Sequence, residues 1–349
     1  MASVTPAMIK ELRERTSAGM SDCKNALVEA EGDMEKAIEV ILKKGLVKAA
    51  SRAGKVATEG EVATWVSADG KRGVIVEINC QTDFVARGDD FKNFVKNVLD
   101  VASKTKKGAD LGAEKYPGGD QTVEEVRAAA VGRIGENIVV RRWDALEAKN
   151  DNQVINAYVH MGGKLAVLAA VEAPAGKKGD ADFKMFVENV AMQIAAMNPL
   201  VVEKSQLSEA DVAKQRDIYV GQMKEEQEGI QKQVAELEGM SPEQRKEAAD
   251  SDAQFEAALK KLKSGLKPEN MWGKICEGKV TKWYTEVTLH GQEAVWDPSV
   301  GNIDKVRGEL SKKLGGEVKI DSFVRFGLGE GIEKKTENLA DEVAKTIGG

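Results

Sequence analysis

Histidine is almost missing: His160 and His290 are the only two in 349 residues. A Ser-His-Asp or Cys-His relay would have to run through one of them, and neither lies in a nucleophile motif. Cysteine is as sparse. Cys23, Cys80 and Cys276 are odd in number, far apart and without a CxxC pair, so neither a disulfide framework nor a zinc site is expected. A reducing cytoplasm is the expected compartment. There is no GxxxxGK[ST] phosphate loop, so the chain is not expected to bind GTP or GDP itself. Gly327-Leu-Gly329-Glu-Gly331 is glycine-rich, but no following helix or acidic residue completes a dinucleotide fingerprint, and it reads as a strand ending in a turn. No cofactor and no bound metal are expected. No apolar run approaches a membrane-spanning length, and Met1-Ala-Ser-Val lacks the pattern of a secretory signal. A net charge of −6 and a pI of about 5.4 argue against general nucleic-acid binding, though local basic patches are compatible with them.

What the chain does have is charge and apolar bulk in globular proportion, 31% and 42%, with length for two or three domains. Thr5-Pro6 starts a helix whose apolar face is Met8, Ile9 and Leu12. After a break at Ser17-Ala-Gly19, Ser21 can cap a second helix with Cys23, Ala26, Leu27 and Ala30 inside. Asp33 can cap a third, burying Ala37, Ile38, Ile41 and Leu42. Three short helices of this kind make a small bundle of the size used for docking. Met20, in its first loop, reads equally as an exposed contact or as core filler. Residues 43–58 are basic and Ala-rich, the pattern of a helical linker with a solvated face.

Next, 61–66 and 73–80 read as a β-hairpin around Ala68-Asp69-Gly70. The helix from Asp90 buries Phe91, Phe94, Val95, Val98, Leu99 and Ala102. Thr122-x-x-Glu125 is a capping box, and Ile138–Trp143 a strand. The pattern then repeats. Phe91-Lys92-x-Phe94-Val95-x-Asn97-Val98 matches Phe183-Lys184-x-Phe186-Val187-x-Asn189-Val190. Strands at 154–159 and 165–171 precede the second copy, and a helix at 302–314 and a strand at 317–326 parallel the end of the first. Two copies of hairpin, helix, helix and strand imply a duplicated α+β core. The second copy is interrupted by about 60 residues. Tyr219, Met223, Ile230, Val234 and Leu237 keep roughly heptad spacing with Glu226 as a flaw, Ser241-Pro-Glu-Gln244 restarts the chain, and Phe255, Leu259, Leu262 and Leu266 continue the seam. This reads as an antiparallel two-helix hairpin projecting about 30 Å, separable from the function of the core. A short amphipathic helix is expected from Thr336.

The copies differ at one corner. Where the second has Pro174-Ala-Gly-Lys-Lys, the first has Asn79-Cys80-Gln81-Thr82-Asp83-Phe84-Val85-Ala86, a strand-to-helix turn carrying an acid beside a large aromatic. What is unique to one copy of a duplicated fold is the better functional candidate. Whether Phe84 turns into the core or stands out is left open by the residues.

Several of these stretches resemble one family. Leu12-Arg-Glu-Arg-Thr16, Gly19-Met20-x-Asp22-Cys23-Lys24, Asn79–Ala86, Ile134-Gly135-Glu136-Asn137 and Val324-Arg325-Phe326 are similar, in the right order over almost the whole chain, to the bacterial elongation factor Ts family, guanine-nucleotide exchange factors for elongation factor Tu. The resemblance implies an α+β protein, with a ubiquitin-associated-like bundle over 1–45 and a linker over 46–58. A core subdomain over 59–148 and another over 149–204 and 267–330 follow, with a coiled-coil hairpin at 205–266 and a C-terminal helical module at 331–349. It implies a non-enzymatic exchange factor that binds elongation factor Tu in its GDP-bound and nucleotide-free forms, without nucleic acid or membrane. A homodimer or 2:2 complex through the coiled coil stays open. It places Thr82, Asp83, Phe84 and Val85 at the partner's Mg²⁺ region and Lys10, Arg13 and Met20 on its nucleotide-binding domain. It also gives Ile134, Gly135 and Asn137 as partner-binding, and has His160 meet a more distant domain. A hairpin-turn histidine with no partner is the competing reading of His160. Two rival functions are an adaptor working through the bundle alone, which leaves the Thr82–Val85 turn unexplained, and an enzyme with an unrecognised acid pair.

Overall fold

The computed structural model describes residues 4–16 and 18–333 and gives a mixed helical and sheet protein with two small antiparallel sheets. The helix expected from Thr336 lies outside those residues. The chain divides into two units, 1–198 with 307–349, and 199–306.

In the first unit, α1 (Pro6–Thr16), α2 (Met20–Glu29) and α3 (Met34–Arg52) form the N-terminal bundle around Leu12, Cys23, Ala26, Leu27, Ala37 and Ile41. Asp33 caps α3 by accepting from the Glu35 and Lys36 amides. Ser21 does not cap α2; the cap position lies two residues earlier, at an extended Gly19 with no side-chain cap. Nor does α3 stop near residue 45. It runs on to Arg52 and buries Gly45 and Ala49, since Gly45 brings the α3 backbone against a helix later in the chain, around Ala128.

The first sheet follows: β1 (Glu59–Val66), β2 (Arg72–Cys80), then α4 (Asp83–Arg87), α5 (Asp89–Lys104), α6 (Val123–Ile134) and β3 (Val139–Glu147), in strand order β1-β2-β3. The expected capping box on Thr122 and Glu125 opens α6. A Cβ at Gly45 would lie 3.4 Å from the Ala128 backbone of α6. β2 is buried on both faces. Val74, Val76, Ile78 and Cys80 point toward Phe91, Phe94, Val95 and Val98 of α5 and Val131 of α6, while Gly73, Ile75, Glu77 and Asn79 point the other way, as the two-residue period requires.

β4 (Gln153–His160), β5 (Leu165–Glu172) and α7 (Ala181–Met197) begin the second sheet. The second unit then holds α8 (Glu209–Glu238), α9 (Pro242–Ala248), α10 (Asp252–Ser264) and α11 (Glu269–Val287). α8 has 30 residues, about 45 Å at 1.5 Å per residue, longer than the spacing of its apolar residues predicts. The returning arm is two helices, because Ser251 caps α10 after the Ser241 capping box has opened α9. Glu226 is exposed and the flaw in the seam is its neighbour. Gln227 is buried; its carbonyl accepts from the Lys267 amide at 2.6 Å and its NH₂ donates to the Gly265 carbonyl at 3.4 Å. α8 also packs on α11, with Arg216 paired to Glu277 at 2.7 Å.

α12 (Ile303–Leu314) leads into β6 (Lys319–Gly327), which completes the order β4-β5-β6. The sheets repeat each other in detail. The register shifts between Glu77 and Ile78 in one and between Ala170 and Val171 in the other. Arg127 donates to the Ile138 carbonyl and Arg307 to the Val318 carbonyl, each eleven residues on. Between the sheets lie Val62, Ile75, Ile155, Ala166, Leu168, Ala170 and Phe326; a Cβ on Gly73 would come within 2.4 Å of Ile155. One charge is buried there. Glu77, wholly inaccessible, accepts from Arg141 at 2.8 Å, Arg142 at 2.5 Å and the Gly329 amide at 2.8 Å. The glycine-rich 327–331 stretch is thus a turn that supplies a donor to a carboxylate on the other sheet. Burial pushes the Glu77 pKa up, but those three donors outweigh it and hold it below the ordinary carboxylate value.

Candidate functional site

β2 runs out at Cys80, whose thiol points into the core and lies 3.2 Å from the Thr82 carbonyl. Burial, with Glu136 and Glu59 nearby, pushes that thiol up to about 12, so it is an inert packing group and not a nucleophile. The corner that follows is held by a carboxylate. Glu136 accepts from the Gln81 amide at 3.2 Å, the Thr82 amide at 3.0 Å and the Thr82 hydroxyl at 2.7 Å. The Gln81 side chain answers by accepting from the Asn137 amide at 2.8 Å. Having donated to Glu136, the Thr82 hydroxyl accepts from the Val85 amide at 3.3 Å, making Thr82 the N-cap of α4.

α4 is five residues long. Val85 and Ala86 turn in and pack on the core of the first sheet. Asp83 and Phe84 turn out. Phe84 is 84% exposed, the most exposed of the large apolar side chains among the described residues. Asp83 is exposed too and meets Arg87 at 2.8 Å one turn on, a surface pair of little stabilising value. The question left open by the sequence is decided for the outward Phe84.

The N-terminal bundle brings its own residues to the same side of the first core. Lys10, Arg13 and Met20 line an open cleft of about 700 Å³ with Glu14, Asp90 and Arg133. Met20 is 64% exposed and so is not core filler. Asp90 lies six residues beyond Phe84, near the start of α5. Arg133, paired with it at 3.4 Å, immediately precedes Ile134. Ile134 packs half-buried on the first core, and Gly135 ends α6 in the left-handed region at φ 82°. Asn137 is buried; its side chain donates to the Lys55 carbonyl at 2.8 Å, tying the end of the α3 segment to the corner.

His160 stands apart from this cluster, at the tip of the β4–β5 hairpin with Val159 and Met161 exposed beside it. Its ring lies 3.0 Å from the Tyr158 hydroxyl. The hairpin is anchored on β1, where the Val62 amide donates to the Gly163 carbonyl at 2.7 Å and Lys164 pairs with Glu59 at 2.7 Å. Of the predicted residues, Thr82–Val85, Ile134, Gly135 and Asn137 form one connected corner, Lys10, Arg13 and Met20 a neighbouring cleft, and His160 a third surface. Glu136 and Gln81 were passed over by the sequence reading, although both stand inside motifs it singled out. No local period marks them, because their partners are 54 to 56 residues away.

Comparison with known proteins points one way. A family model described as "Elongation factor TS" matches residues 81–330. The chain is similar to proteins named "Elongation factor Ts" from Clostridium kluyveri and Clostridium perfringens, each 39% identical over 99% of both chains. A third, from Nautilia profundicola, is 37% identical over 99% of this chain and 100% of its own.

Proposed function

The chain belongs to the elongation factor Ts family, and from that premise we propose that it binds elongation factor Tu carrying GDP and speeds release of the nucleotide by inserting the Asp83-Phe84 turn near the partner's Mg²⁺ site. The observation that carries this is Phe84 itself. A phenylalanine 84% exposed on a turn pinned by Glu136 and by Val85 has an apolar face to bury and a backbone that already holds it out. Burying such a ring is worth about 2 kcal/mol. That gain is available only if the partner opens to admit it, so the ring favours the nucleotide-free state over the loaded one. A factor with equal affinity for both would shift nothing. Asp83 beside it rearranges polar contacts around the metal. No bond is made or broken, so the protein acts as an exchange factor and not as an enzyme, and GTP rebinds to the emptied partner.

In this reading Lys10, Arg13 and Met20 dock the partner's nucleotide-binding domain in the bundle's cleft, with Ile134, Gly135 and Asn137 at the same contact. His160 and its hairpin meet a more distant partner domain. The bundle serves as a ubiquitin-associated-like docking module, the two sheets as related subdomains, and α8 with α9 and α10 as the coiled-coil arm, through which a homodimer or 2:2 complex would form. The cytoplasm is the proposed compartment.

The test is stopped-flow release of a fluorescent GDP from elongation factor Tu. The wild-type chain is expected to accelerate release and Phe84→Ala to lose at least about tenfold of that rate, about 1.4 kcal/mol of transition-state stabilisation. Acceleration undiminished in Phe84→Ala would overturn the wedge.

A further inference from the structure

A helix of five residues cannot hold itself together, since nucleation costs more than one turn of hydrogen bonds returns. The pose of Phe84 therefore depends on whatever anchors the two ends of α4. Val85 and Ala86 anchor its inner face in the core, and the Gly88 amide closes its far end on the Val85 carbonyl at 2.9 Å. Its near end is held by the Thr82 cap and by the Gln81 side chain on the Asn137 amide, and the side chain that gathers most bonds there is Glu136. Glu136 takes two successive backbone amides and a hydroxyl, and that third bond points the remaining lone pairs of Thr82 at the Val85 amide. Hydrogen bonds to a carboxylate are the stronger kind. Glu136 sits one residue past the left-handed Gly135, whose φ of 82° turns the chain back toward the corner.

We infer that Glu136 is a positioning residue for nucleotide release: it touches no partner atom but presets the α4 turn so that Phe84 arrives already posed. The inference rests on the wedge reading above. A preorganised turn leaves no ordering entropy to be lost when the partner opens. Loss of Glu136 therefore slows the step in which the ring inserts, and the initial docking through the cleft of Lys10, Arg13 and Met20 is left alone.

The experiment is a double-mutant cycle on the full chain with elongation factor Tu loaded with fluorescent GDP. Glu136→Ala is expected to lower the release rate at saturation about tenfold, with the half-saturating concentration within about twofold of wild type. Glu136→Gln, which keeps an acceptor oxygen, should recover part of the loss. Adding Glu136→Ala to Phe84→Ala should slow release no further, because the one acts only through the other. Hydrogen exchange of the amides at 82–87 should quicken in Glu136→Ala and stay unchanged in Phe84→Ala. If Glu136→Ala folds poorly, Thr82→Val, which removes the hydroxyl bond to Glu136 together with the cap on the Val85 amide, must slow release in the wild-type background and not in the Phe84→Ala background. Equal slowing by Glu136→Ala in both backgrounds, or a raised half-saturating concentration with an unchanged saturated rate, would overturn the inference. A chain slowed by Glu136→Ala but not by Phe84→Ala would overturn the wedge, and with it the route assigned to Glu136.

Discussion

Phe84 keeps almost its whole ring in water, so its truncation should barely touch the fold. In chemical denaturation, Phe84→Ala is expected to stay within about 0.5 kcal/mol of wild type, as other surface changes do. A buried Phe would lose roughly 3–5 kcal/mol, so the measurement separates the two states cleanly. Asp83→Ala should also slow release from elongation factor Tu, and the pair should lose less than the sum, since adjacent side chains serve one site. The corner was legible in the sequence because its strand and its polar turn are local signals; that the turn is itself a short helix, α4, capped by Thr82, was not. The carboxylate that holds it was not, because Glu136 reaches Thr82 across 54 residues of chain and looks, on its own, like any surface acid at a helix end.

Elements were legible where their causes are short-range. The strands, the capping boxes at Thr122 and Ser241 and the Asp33 cap all follow from neighbours a few residues apart. The continuity of α3 was not, since the basic, Ala-rich stretch after residue 43 reads as a separate helical linker, and the close packing of Gly45 on α6 that makes it one helix is a long-range contact. The same holds for Gln227, a polar residue in an apolar seam until its two bonds to Gly265 and Lys267 are seen. Those bonds narrow the expectation that residues 205–266 are separable. Removing all of them would strip α11 of its α8 partner and bare Cys276 and Val280. Replacing only 231–263 with a short glycine-serine turn should leave a cooperative unfolding transition and most of the release activity, whereas the full deletion should broaden or lower the transition. Loss of activity in the folded, trimmed chain would put the arm at the partner contact. The buried Glu77 makes a second forecast at this scale. Its folded pKa lies below the ordinary 4.5, so its contribution is intact above that value and fades as pH falls through the lower, folded pKa. Glu77→Gln should reduce stability at pH 7 by about 3 kcal/mol, the scale of breaking a buried ion pair. It should also flatten the acid limb of the stability profile below about pH 4.5. A parallel acid limb in wild type and variant would show that the Gly329 turn and the two arginines do not depend on that charge.

Taken as a whole, the molecule offers surfaces and few reactive groups. Its three cysteines are buried, Cys80 with a thiol pushed to about 12. One of its two histidines is a hairpin-tip ring against Tyr158, and the other lies 3.8 Å from Asp304. Among the described residues no group of three or more His, Cys, Asp or Glu could hold a metal ion, and no helix is long and apolar enough to cross a membrane. Each element of the proposed contact is a presentation device: a capped turn for Phe84, a cleft lined by Lys10, Arg13 and Met20, and a hairpin tip at His160. In the proposed reading the molecule works by binding one state of its partner better than another and has no need to hold the nucleotide during exchange. The isolated chain should therefore give no saturable heat with GDP or GTP in calorimetry, while the same preparation forms a complex with nucleotide-free elongation factor Tu that added GDP dissociates. A Kd of about 1 μM for GDP on the chain alone, equivalent to about 8 kcal/mol, would mean that it takes the nucleotide from its partner directly, and the wedge would no longer be needed to account for release.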